Sequence, residues 1–90
     1  MFTTSCVTEV PIDEWAVARA AYNAAKEAEA ARYVPAIWFN GEQAYREAQR
    51  AYKERRYGDA RDLFAQAKAL CEQAENAAKL AQKQAGDIIP

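Results

Sequence analysis

The sequence predicts an all-α fold, an antiparallel three-helix bundle of up-down-up topology with alanine-rich seams. One observation is an alternation of steps of four and three between apolar positions in the last part of the chain, the spacing of a helix packed along its length. Another is that short breaks near residues 33–35 and 57–59 divide the remaining helix-forming sequence. The seam of the last helix consists almost entirely of small residues: Ala60, Phe64, Ala67, Cys71, Ala74, Ala78, Ala81 and Ala85.

The first helix is expected at about residues 13–32, after an extended tail at residues 1–12. Asp13 is the expected N-cap, because its carboxylate can accept hydrogen bonds from free backbone N–H groups, and Glu14 suits the positive end of the helix dipole. Further alanines on a second flank indicate a helix that accepts two neighbours. The predicted seam is Ala18, Ala21, Ala25 and Ala28.

The second helix is expected at about residues 35–56. Proline disfavours a helical conformation in the preceding residue and fits the first helical position, so Tyr33-Val34-Pro35 indicates a break and then a start. Gly41 costs about 1 kcal/mol relative to alanine inside a helix, and a break capped by Asn40 is the alternative. We favour a continuous helix, because the seam keeps its phase through this glycine. The seam is Ile37, Gly41, Ala44, Ala48, Ala51 and Arg55.

The third helix is expected at about residues 59–85. Gly58 is expected to end the second helix, Asp59 to cap the third, and Gly86 to end the third, which leaves residues 87–90 as a tail. Residues 13–86 then form one domain. The larger apolar side chains available for its core are few: Val17, Ile37, Leu63, Phe64, Leu70 and Leu80. A partner chain that covers more of the surface would compensate for this small core.

The composition excludes some classes of function. Twelve basic and thirteen acidic residues give a net charge of -1, which argues against nucleic-acid binding driven by overall charge. No stretch approaches the ~20 apolar residues that cross a bilayer. The excess of basic residues at 42–56 is interpreted as a solvated helix face. Arg55 and Arg56, beside Tyr57, are candidates for contact with an acidic partner.

The residue types needed for catalysis are scarce. The chain has no histidine, which is the most common general base, and Ser5 is its only serine. Three scattered glycines do not form a phosphate-binding loop, and two cysteines are too few for a structural zinc site. Cys71, on the seam, is interpreted as a buried small apolar residue. We therefore expect no enzymatic activity, no cofactor and no metal.

The beginning of the sequence resembles the end of a bacterial lipoprotein signal. Small residues precede a cysteine in Thr4-Ser5-Cys6, although Thr3 stands where leucine is usual and the apolar segment of such a signal does not precede it. The resemblance covers four residues. It implies lipidation of Cys6 and a location in the periplasm or at the outer membrane.

Two helical families resemble longer parts of the chain. Residues 14–85 are similar to an alanine-rich helical domain of unknown function in small bacterial envelope lipoproteins, which has a Tyr-x-Pro turn and a Gly-Asp-Tyr turn before an Ala-Arg helix. Here the turns read Tyr33-Val34-Pro35 and Tyr57-Gly58-Asp59-Ala60-Arg61, with the second aromatic moved forward. A weaker likeness is to a single tetratricopeptide-type hairpin, carried by Ala48, Ala51, Tyr57, Ala60, Phe64 and Ala67, although an aromatic is usual at position 51.

These observations favour a non-enzymatic structural or adaptor module of the bacterial cell envelope that associates with itself or with another protein. The alternatives are a soluble, cytoplasmic peptide-binding module of tetratricopeptide type and a repeating subunit of a filament or ring. Aromatic rings at heptad spacing are interpreted first as core edges and, where they project from the bundle, as a partner surface. The candidates for partner binding are Trp15, Tyr22, Trp38, Tyr45, Tyr52, Arg55 and Arg56.

Overall fold

A computed structural model describes residues 9–88 of the protein, with side chains for residues 9–86. Within this range the chain is all-helical, as predicted. It contains four α-helices: α1 (Ile12–Glu27), α2 (Ala30–Tyr33), α3 (Pro35–Lys53) and α4 (Tyr57–Ile88). The predicted first helix is therefore split in two, and the other predicted boundaries lie within three residues of the observed ones.

The helix starts do not use the predicted caps. α1 begins at Ile12, with the buried Pro11 in the cap position and no side-chain cap, so Asp13 lies in the first turn instead of capping it. Asp59 likewise lies in the first turn of α4 and does not precede that helix. Both carboxylates still lie near the positive end of a helix dipole, where a negative charge is favourable. Pro35 begins α3, as predicted.

A residue with a left-handed backbone follows the end of α1 by two positions. Glu29 has a φ of 59° and its N–H donates to the carbonyl of Lys26 at 2.9 Å. Its own carbonyl then accepts the N–H groups of Arg32 and Tyr33, which closes the single turn of α2. The chain bends here, and Ala30 becomes fully buried. The sequence shows no glycine or proline at this bend, so the break was missed.

The turn between α3 and α4 also differs from the prediction. Lys53 is the last residue of α3, and Arg55 has a φ of 63°. The N–H of Arg55 donates to the carbonyl of Tyr52 at 3.0 Å, and that of Arg56 to the carbonyl of Ala51 at 2.9 Å, the hydrogen-bond pattern of a Schellman motif. Arg55 is thus in the turn and not on the seam. Gly58 lies inside α4 and does not end α3.

α4 packs against both α1 and α3 through its seam. Six of the eight predicted seam positions are fully buried, from Ala60 to Ala78, whereas Ala81 is half-buried and Ala85 exposed. Gly86 does not end α4, because the helix continues to Ile88. The seam of α1 is buried as predicted. In α3 the seam is buried from Gly41 to Ala51.

Long-range contacts give the direction of each helix. Arg61 of α4 pairs with Glu14 near the start of α1, and Gln82 donates to the carbonyl of Ala28 after its end, so α1 and α4 run in the same direction. α3 runs against both. Its residue Gly41 lies against Cys71, far along α4, while Tyr52 at its end meets the start of α4.

The core is small and consists mostly of alanine. Phe64 is its one large, fully buried aromatic among the described side chains. Two residues expected in the core lie outside it: Val17 is 46% exposed and Leu80 is 56% exposed. Val17 immediately precedes the seam residue Ala18 and is therefore rotated about 100° away from it on the helix. Leu63 and Leu70 pack against the edge of the core.

Candidate interaction surfaces

Aromatic side chains fill the space between α1 and α3. The backbones of these two helices approach each other at few points, whereas α4 lies close to both along its alanines. The rings therefore act as spacers, and small residues act as the contacts elsewhere. We refer to the five rings as the aromatic row: Trp15 and Tyr22 from α1, with Trp38, Tyr45 and Tyr52 from α3.

The rings of the aromatic row pack on one another. The ring of Tyr22 stacks on those of Tyr45 and Trp38, with centroids 4.4 and 5.2 Å apart. Trp15 lies 4.7 Å from the ring of Tyr52. Its indole Nε1 also donates to the hydroxyl of Tyr45 at 3.4 Å. Ring contacts and one hydrogen bond thus connect all five members of the row. The rings lie at the edge of the core, the placement that the sequence analysis considered first.

Part of this stack stays open to solvent. Tyr45 is only 6% exposed, while the other four rings are half-buried. Burial, followed by the nearby negative charge of Glu42, raises the pKa of Tyr22. The ammonium group of Lys26 lies 5.4 Å from the centre of the same ring, within the range of a cation–π interaction. The row therefore has a packed side and a polar, accessible edge.

The two arginines after α3 have different surroundings. Arg56 bonds to Glu54 at 3.0 Å and to Asp59 at 2.8 Å, and these hydrogen bonds raise the pKa of its guanidinium. Arg55 is exposed and has no carboxylate within 4 Å among the described side chains. Both arginines were predicted to bind a partner. Among the described side chains Arg56 forms ion pairs and Arg55 forms none.

A groove between α1 and α4 was not foreseen from the sequence. It encloses about 300 Å³, with Phe64 at its base and Val17 beside it. Asp13 and Glu14 lie at one side and Lys68 at the other. Lys68 already pairs with Glu72 on its own helix. The sequence contains one sign of this groove. Val17 lies beside the seam and not on it, so an aliphatic side chain is left exposed next to the α1–α4 contact.

Cys71 is a free, buried thiol facing α3. Burial, with a smaller contribution from the negative charge of Glu42, raises its pKa to about 11. It thus packs as a small apolar residue, in agreement with the sequence. Cys6, the lipidation candidate, lies outside the described residues. Among those residues no cluster of Cys, Asp or Glu is arranged to hold a metal ion.

The helices of residues 9–88 include none with the length and apolar content of a membrane span. Comparison with protein families matches residues 13–87 to a domain of unknown function (DUF4398). The chain belongs to this family. The match covers α1 to α4 almost completely, so the DUF4398 domain includes the aromatic row, the groove and both turns. No curated protein and no solved structure matches the chain.

Proposed function

We propose that this DUF4398 domain is a non-enzymatic structural or adaptor module of the bacterial cell envelope. Its working unit is a three-helix antiparallel bundle of α1, α3 and α4, with α2 as the corner between the first two. It acts by association with itself or with another envelope protein, and in its native form it is lipid-anchored through Cys6. The aromatic row carries the proposal for association, and Thr4-Ser5-Cys6 motivates the anchor.

The aromatic row suits protein association because its rings are already ordered. Tyr22 is held between two rings at 4.4 and 5.2 Å, and Trp15 is held by Tyr52 and by a hydrogen bond to Tyr45. A partner that covers the open edges therefore loses little side-chain entropy on binding. Tyrosine and tryptophan are also the residues that most often dominate the binding energy of interfaces.

Polar residues lie between the rings along both helices. Arg19 is exposed and falls between Trp15 and Tyr22 on α1, and Gln49 is half-buried between Tyr45 and Tyr52 on α3. Protein interfaces combine aromatic side chains, in which they are enriched, with polar groups that form hydrogen bonds to the partner. This arrangement favours a partner that lies along the α1–α3 side of the bundle.

Site-specific photo-crosslinking in cells tests the association. A photoreactive amino acid is introduced at Arg19 or at Gln49, beside the row, and at Gln73 as a control. Gln73 is exposed on α4 and lies opposite the buried seam. We expect both row positions to give the same discrete adduct and Gln73 to give none. Equal adducts at all three positions, or none at the row, would contradict the proposal.

Intact-mass analysis of the native protein tests the anchor. A diacylglycerol-modified Cys6 at a new amino terminus is the expected result. An unmodified Cys6 that still follows residues 1–5 in cells would remove the anchor from the proposal. The outcome does not depend on the crosslinking result, so the two parts of the proposal can fail separately.

A further inference from the structure

Basic side chains border the aromatic row at the same heptad spacing as its rings. On each of the two helices a pair of cations is separated by seven residues, about 10.5 Å along the axis. The α1 cations each follow a ring of the row by four residues, and the α3 cations each follow a ring by one. All four are exposed: Arg19 and Lys26 on α1, with Arg46 and Lys53 on α3.

These cations lie on the open side of the row. The ammonium group of Lys26 is 5.4 Å from the centre of the Tyr22 ring. Burial raises the pKa of Tyr22, and the positive charge of Arg46, from the opposite helix, acts in the other direction. Arg19 and Lys53 lie seven residues from these two cations, and therefore within about 20° of them around each helix.

The open side of the row has an excess of positive charge. The carboxylate that faces it among the described side chains is Glu42, which is half-buried and pairs with Arg46 at 3.1 Å. Four cations and one carboxylate leave three positive charges in excess, although the net charge of the whole chain is -1. The basic character therefore belongs to this side of the bundle and not to the chain as a whole.

The other carboxylates near the row do not cancel this excess. Those within α1 and α3 are rotated by about 80° or more from the cations of their own helix. They are Asp13, Glu14 and Glu27 on α1, with Glu47 on α3. At one end of the row, Glu54 and Asp59 pair with Arg56. At the other end, Glu29 pairs with Arg32.

The shape of this side suits a helix. The rings hold α1 and α3 apart, so a further helix can lie over the row between them and complete a four-helix arrangement. The row extends from Trp38 to Tyr52, about 21 Å or four turns of such a helix. Nucleic-acid bases fit less well, because they stack on free ring faces and Tyr22 already stacks on Tyr45 and Trp38.

We propose that the aromatic row and its four bordering cations receive an acidic amphipathic helix of a partner protein. This inference rests on the proposed association through the row and adds the chemistry of the partner. Apolar side chains of the partner helix contact the open ring edges. Its carboxylates, spaced by seven residues on each flank, pair with the cations of α1 on one side and of α3 on the other.

Two designed peptides test this inference with the full chain. Each contains three heptads with leucine at positions a and d. The residues at positions e and g are all glutamate in one peptide and all lysine in the other. An oligothymidylate of similar length serves as an anionic probe of another class. Fluorescence anisotropy of each labelled probe measures its dissociation constant.

We expect the glutamate peptide to bind at least about tenfold more tightly than the lysine peptide or the oligothymidylate. Arg19→Gln with Lys26→Gln should weaken its binding by about fivefold, since exposed ion pairs are individually weak. Lys68→Gln with Lys83→Gln is the matched control. It removes the same charge from α4, away from the row, and should leave binding unchanged.

Three results would overturn the inference: equal binding of the two peptides, binding of oligothymidylate as tight as that of the glutamate peptide, or equal effects of the two double variants. Crosslinking from Gln49 in cells separates this inference from the proposed function. An adduct to a second copy of this chain, or to a segment without an excess of Asp and Glu, would remove the acidic helix and keep the association. Absence of any adduct from the row would contradict the association itself.

Discussion

Replacing Gly41 by alanine is expected to destabilise the domain, although alanine is the better helix former. An added methyl group would lie 3.0 Å from the Sγ atom of Cys71 and 3.3 Å from its backbone nitrogen. The sulfur is buried and has little room to move, and the nitrogen belongs to α4 itself. Relief of the second contact therefore requires α3 and α4 to move apart.

The magnitude follows from two opposed effects. Alanine gains about 1 kcal/mol of helix propensity over glycine. Extra volume in a closely packed contact costs roughly 1–3 kcal/mol. With the cost near the middle of that range, the net loss of stability is about 1 kcal/mol, and the melting temperature of a domain of this size falls by about 4–8 °C.

Urea unfolding followed by circular dichroism measures this change. Gly58→Ala is the matched control, because a methyl group there has no neighbour within 4 Å, and it should stabilise the domain by about 0.5 kcal/mol. Combining Gly41→Ala with Cys71→Ala removes the closest contact, and the double variant should be about 1 kcal/mol more stable than additivity predicts. Stability of Gly41→Ala at or above wild type, or strict additivity, would refute the steric explanation.

Three further predictions concern other parts of the fold. Arg55→Gly should stabilise the domain by about 1 kcal/mol, because glycine adopts the left-handed backbone at this position without strain. Lys53→Gly, inside α3, should instead destabilise the domain by a similar amount. Thermal unfolding of the two variants shows whether their effects on stability have opposite signs. Phe64→Ala should cost about 3–5 kcal/mol, while Leu80→Ala, at an exposed position, should stay within about 0.5 kcal/mol in the same assay. The raised pKa of Cys71, about 11, means that the folded state keeps its proton after the unfolded state has lost it near pH 9. Stability measured from pH 9 to 11 should therefore fall further for wild type than for Cys71→Ala, by up to about 1.4 kcal/mol per pH unit, and parallel curves would contradict the assignment.

The alanine seams could be predicted from the sequence because they depend only on helical periodicity. A residue that recurs at steps of three and four returns to the same face of a helix wherever that helix lies. Ala18 and Ala48 are buried for this reason, and α3 continues through Gly41 as its phase indicated. Pro35 fixed the start of α3 through its own ring geometry.

The turns could not be predicted in the same way. Local rules place glycine after a helix. In the part of the chain that the structure describes, however, positive φ angles occur at Glu29 and Arg55, and Gly58 lies inside α4. The cost of a left-handed residue is about 1–2 kcal/mol, which a few tertiary contacts can exceed. Packing of Tyr57 on Tyr52 accompanies the turn at Arg55, and this contact is not visible to a local pattern.

The aromatic row was identified residue by residue, but its packing was not. Heptad spacing places Trp15 and Tyr22 on one stripe of α1 and Trp38 and Tyr45 on one stripe of α3. Whether two stripes project or face each other depends on the rotation of each helix about its axis. That rotation is fixed by α4, since its seam must meet the seams of both neighbours.

The division between small and aromatic contacts also determines from which side a partner can reach the aromatic row. Alanines bring α4 close to α1 and α3, and the rings that separate those two helices lie along the length of the bundle. On its inner side the row packs on Phe64 of α4, whose ring lies 5.9 Å from that of Trp15 and 6.2 Å from that of Tyr45. The open edges of the rings therefore face away from α4. A partner must approach from the side that α1 and α3 share, which is why adducts are expected from Gln49 and not from Gln73.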